Sequence, residues 1–148
     1  MSASLRSELG EALSAVIAEM QAAAAAFRES LADERRALDQ ADPAALNRAG
    51  DRKRSLLMQL ERLDIERQQL LREAGTTDAA YRRAWDGVLE ALHDCQRTNQ
   101  RNGGIIAQRL KHVRRALSVL TGKQDEAGAY GPAGQLSHGY RSLPLARA

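Results

Sequence analysis

Leu9, Leu13, Val16, Met20, Phe27, Leu31 and Leu38 recur at gaps of three or four residues, or sums of these, with polar residues between them. That spacing lines one face of a helix and predicts a long amphipathic element over about residues 4–39. Asp42 followed by Pro43 reads as an N-cap and a first-turn proline, because the carboxylate can accept an orphan amide and proline has none to lose. A second helix therefore runs from 43 to about 73. Leu46, Ala49, Leu56, Leu60, Leu63 and Leu70 form its seam, Lys53 and Arg67 fall on the same seam, and Gly75 fits the position that ends it. A third stripe follows Asp78: Tyr81, Trp85, Val88, Leu92, Cys95, Asn99, Asn102, Ile106, Leu110, Val113, Leu117 and Leu120. It predicts a helix over about 78–121, with a break or kink at Gly103 and Gly104, each of which costs about 1 kcal/mol relative to Ala in a helix interior.

Short connections between three long stripes imply an all-α fold, an elongated antiparallel three-helix bundle or coiled-coil hairpin. At 1.5 Å per residue the helices would be roughly 54, 46 and 66 Å long. With the third turned back alongside the second, its end from about residue 109 has no partner of equal length. Leu110, Val113, Leu117 and Leu120 are then expected to lack intramolecular cover, a surface for a partner or for self-association. The division is a helical domain over 1–121 and a flexible tail over 122–148, which holds 5 of the 11 glycines and 2 of the 3 prolines without apolar periodicity.

Composition supports helix over sheet: of 148 residues 27 are Ala and 20 Leu, while Val and Ile together number 8. The longest apolar run, residues 22–27, is far below the roughly 20 residues that cross a bilayer, so no membrane insertion is expected. Glu8, Glu11 and Glu19 interrupt the N-terminal stretch where a secretory signal would need an apolar core, so the chain is expected to stay in the cytoplasm. The single Cys95 excludes an internal disulfide and a cysteine-based zinc cluster.

The chemistry of catalysis is missing from the pattern. His93, Asp94 and Cys95 are adjacent, and residues one or two apart on a helix point to different faces and cannot form a relay. No histidine pair has ligand spacing and no phosphate-binding loop occurs, so neither cofactor nor metal is expected. Arg97, Arg101, Arg109, Lys111, Arg114, Arg115 and Lys123 lie between Asp94 and Asp125 with no acid among them. Nucleic acid would need such a field, but stacking aromatics and a recognition-helix motif are absent. The simpler readings are a solvated face near a helix C-terminus or a field that steers an acidic protein. Asn99 and Asn102, polar at seam positions, either bond a partner's backbone or form a polar layer inside the bundle.

Glu34 with Leu38, the Lys53 to Leu63 heptad with Arg67, NQRNGGII at 99–106, LSVLTG at 117–122 and YGPAG at 130–134 together resemble the FlgN family of flagellar type III export chaperones. The likeness covers almost the whole chain; the stretch 135–148 and the doubled glycine depart from it. It implies a non-enzymatic carrier that binds C-terminal helical segments of hook-filament junction proteins, keeps them unassembled and delivers them to the export gate, with the export ATPase complex as a further partner. On that resemblance Asn99, Asn102, Ile105, Ile106, Leu110, Val113, Leu117 and Leu120 are the expected cargo-binding residues. Tyr130, presented at a turn by Gly131 and Pro132, matches the tail tyrosine that contacts the cytoplasmic domain of the gate. Two other classes compete: a structural coiled-coil adaptor of the export apparatus, which predicts stable homo-oligomers, and a helical nucleic-acid-binding protein, which predicts salt-dependent binding.

Overall fold

A computed structural model describes residues 1–122, which form three α-helices: α1 (Ala3–Asp39), α2 (Pro43–Ala74) and α3 (Ala79–Thr121). No strand occurs among the described residues. Each helix begins where a side chain takes up an amide that has no helical acceptor, an interaction worth about 1 kcal/mol. Ser2 accepts from the Leu5 amide at 3.2 Å, Asp42 from Ala45 at 3.0 Å and Asp78 from Tyr81 at 2.7 Å. Pro43 occupies the first turn of α2, and Gly75 ends that helix at φ +72°, its amide 3.0 Å from the Leu71 carbonyl. The turn after α1 closes with Asp42 N–H on the Ala37 carbonyl and Ala41 N–H on that of Leu38, while Ala41 takes the left-handed φ of 51° that glycine usually supplies. Asp42 therefore finishes one helix and starts the next.

α1 is the centre of the molecule. Both α2 and α3 pack on it, whereas the Cα atoms of α2 and α3 nowhere approach within 8 Å of each other. The third helix thus has its closest backbone approach to the first, and meets the second, alongside which the short connection placed it, through side chains. The physical reason is where the seams point: Val88 joins Val16, Ile17, Met20 and Ala23 of α1 in one buried cluster with Leu60 and Leu63, and Cys95 joins Phe27 and Leu31 in another. Ala23 and Ala24, buried within the alanine run, have too little side chain to hold α3 away.

The register between α1 and α3 can be read from three contacts. Cys95 Sγ lies 3.9 Å from the Ala24 carbonyl, Asn102 Nδ2 donates to the Leu31 carbonyl at 3.0 Å, and the Arg109 guanidinium donates to the Leu38 carbonyl. Donor and acceptor advance together by seven residues, so the two helices run parallel in a fixed heptad register. α2 runs the other way, with Arg52 paired to Glu29 at 3.2 Å and to Asp33 at 3.5 Å. α3 is unbroken through Gly103 and Gly104, where a kink was expected. Asn102 and Arg109 anchor the helix to α1 on either side of the glycines, which offsets their poor propensity. The expected tail from residue 123 onward, including Tyr130, Gly131 and Pro132, lies outside the described residues.

Candidate functional site

Because α1 ends at Asp39 and Arg109 already reaches Leu38, residues 110–121 of α3 have no helix beside them among the described residues. They extend about 18 Å past the end of α1. Their stripe faces solvent: Leu110 is 38% exposed, Val113 55%, Leu117 54% and Leu120 82%. Ile105 and Ile106, half-buried, form the root of this projection. Full burial of one large aliphatic side chain is worth roughly 1.5–3 kcal/mol, so a partner that covers the stripe gains considerably from it.

Asn99 and Asn102, expected among the cargo contacts, are buried in the bundle and not on that exposed stripe. Asn102 is 1% exposed and bonded to α1. Asn99 Oδ1 accepts from Lys53 Nζ at 3.0 Å, and the same ammonium is 2.8 Å from Glu34 Oε2, with all three side chains buried. One residue from each helix meets here, so the cation ties the bundle together across its axis. Glu34 Oε1 has no hydrogen-bond partner among the described residues. The signal for this tie was visible as polar residues at seam positions 53 and 99, but Glu34 as their third member was not.

A second apolar surface, which the stripe pattern alone did not single out, lies between α2 and α3. Since those helices diverge from a common contact with α1, their facing sides leave a groove of about 410 Å³ floored by Met20. Leu57, Leu60 and Glu61 line one wall, and Trp85, Leu89 and Leu92 the other. At one end the Arg67 guanidinium stacks 3.7 Å from the centroid of the Trp85 ring, donates to Tyr81 Oη at 3.1 Å and holds Asp64 at 2.6 Å. Burial works against its charge, but the bonds to Tyr81 and Asp64 outweigh that penalty and raise its pKa above the ordinary value. Arg67 is therefore a fixed cation within an apolar wall.

Arg97, Arg109 and Cys95 take structural roles. Of the basic stretch, Arg97 pairs with Asp94 and Arg109 covers the last turn of α1, where a cation meets the negative end of the helix. Cys95 is buried, and that burial pushes its thiol pKa up, away from a reactive thiolate. Among the described residues no cluster of His, Cys, Asp and Glu could hold a metal ion, and no helix is long and apolar enough to cross a membrane.

A parallel pair of long helices braced by a third, with the longest helix carrying an exposed apolar stripe, defines the class of elongated helical bundles. The family model described as FlgN protein matches residues 1–138, and the chain belongs to the FlgN family. This is a family of flagellar export chaperones for hook-associated proteins, not a family of enzymes. No curated protein and no solved structure matches the chain.

Proposed function

We propose that the chain carries hook-filament junction proteins by binding their C-terminal helical segments on the open end of α3, keeps those segments from assembling, and hands them in the cytoplasm to the cytoplasmic domain of the flagellar export gate. The observation that supports this most is the uncovered stripe of Leu110, Val113, Leu117 and Leu120. Assembly segments of this kind bury an amphipathic face in their filament neighbours, and a carrier must offer a substitute apolar helix face without folding the whole cargo. Tyr130, with Gly131 and Pro132, is the contact proposed for the gate, and delivery is separable from carriage because the tyrosine lies outside every apolar stripe. The export ATPase complex is a further proposed partner of the loaded chaperone.

Replacing Leu110, Val113 and Leu117 together by Ser tests the carrier function. These side chains contribute to neither buried cluster, so the bundle should stay folded while calorimetric affinity for the junction segment falls at least a hundredfold. Tyr130→Ala, measured beside it, should keep cargo affinity and weaken binding to the gate domain. Unchanged cargo affinity in the folded triple variant would remove the assigned surface.

A further inference from the structure

Every seventh residue from Trp85 onward, Leu92, Asn99, Ile106, Val113 and Leu120, falls on one line of α3. So do Leu89, Gln96, Gly103, Leu110 and Leu117, three or four residues away from the first set. Together they make an a/d-spaced seam over the length of the helix, interrupted by Gln96, Asn99 and Gly103, its midline rotated by roughly 80° from the line through Val88, Cys95, Asn102 and Arg109 that faces α1. The line facing α1 ends where α1 ends. The rotated seam does not, because its first third forms the α3 wall of the groove and its last third is the exposed stripe. Groove and projection lie on one side of α3, with the half-buried Gln96 and Gly103 and the buried Asn99 between them.

The arrangement of the helices says what shape fits it. Two helices that both pack on α1, keep their backbones more than 8 Å apart and meet through side chains such as Arg67 with Tyr81 leave between them a groove that a further helix can enter. Charge says which side chains the occupant carries. Within the groove lining, Asp64 is matched by Arg67, which leaves Glu61 as the excess charge. Lys111 and Arg115 add positive charge to the stretch 110–121, in which no acid occurs.

Resting on the cargo function proposed above, we infer that the bound cargo segment lies along the entire seam from Trp85 to Leu120 as a fourth helix, seated in the α2/α3 groove as well as on the projecting end of α3. Its chemistry is that of an amphipathic helix about 35 residues long with heptad-spaced apolar residues, a basic residue opposite Glu61 and acidic residues over the projecting end. Leu89, 37% exposed on the groove wall, becomes a cargo contact, and Trp85 becomes buried by cargo.

Trp85 is the single tryptophan of the chain and about 50 Å along α3 from Leu120, so its fluorescence distinguishes full-length seating from end-on seating. The probe is a synthetic peptide of the last roughly 35 residues of a junction protein, any Trp in it replaced by Phe, added to the full chain. The expected result is a blue shift of Trp85 emission and a severalfold drop in acrylamide quenching. Leu89→Ser should weaken the peptide tenfold or more, and Ile65→Ser, on an exposed apolar residue of α2 that does not line the groove, should leave it unchanged. Binding with unaltered Trp85 quenching and an unaffected Leu89→Ser variant overturns this inference and leaves the carrier function intact. Absence of peptide binding by the unsubstituted chain overturns both. Trp85 protection that grows with protein concentration before peptide is added assigns the groove to a second copy of the chain and overturns the fourth-helix assignment.

Discussion

Three buried side chains, Glu34, Lys53 and Asn99, depend on one another more than any apolar residue of the core does. Removing Lys53 leaves a carboxylate buried with neither counter-ion nor donor, so Lys53→Met is expected to destabilise the bundle by about 3–5 kcal/mol in urea titration. Adding Glu34→Leu should restore most of that loss, because the penalty lies in the stranded charge and not in the missing attraction. Cys95 gives a pH-dependent counterpart. Burial raises its folded-state pKa above the ordinary 9.0, so the stability it contributes is fully present below that value and is lost as pH rises through it and the unfolded chain ionises its thiol. Cys95→Ala should therefore show a shallower fall in stability between about pH 8 and 10 than the unsubstituted chain. That Cys95 is buried could be read from its seam position. That Asn99 and Asn102 point inward could not, since a polar residue on a seam serves an interior bond or an intermolecular one equally well until the partner residues are located.

At the scale of elements, local chemistry settles most of the outcome. Asp42-Pro43, Gly75 and Asp78 act at the ends of α2 and the start of α3 as their backbone preferences require, and the three helices follow their stripes to within a residue or two. Gly103 and Gly104 show the limit of local reasoning. Their low propensity predicts a break, but the cost is of the same order as one buried hydrogen bond, and Asn102 and Arg109 supply such bonds on either side. A Cβ added at Gly104 would meet nothing within 4 Å. Gly104→Ala is accordingly expected to raise the stability of the chain by up to about 1 kcal/mol in thermal or urea unfolding. A loss of stability would mean that α3 needs the flexibility of that glycine.

The whole molecule is a matter of which helix lies on which, and periodicity does not carry that information. Short loops between stripes set α3 beside α2, which it meets through side chains, but they do not reveal the closer packing on α1 made by the heptad bonds of Cys95, Asn102 and Arg109. The projecting end of α3 survives that change because α1 and α2 both stop near the same level, at Asp39 and Pro43, and the length mismatch seen in the sequence remains. The groove was hidden for the same reason: it exists only because α2 and α3 diverge. The central claim is that the face of α3 beyond residue 109 receives cargo, and amide hydrogen exchange of the full chain with and without the junction-protein segment measures it most directly. Cargo should slow exchange at residues 110–121, whose helix is exposed on every side when free, by at least tenfold. If the segment binds and those amides exchange at their free rate, the account is contradicted.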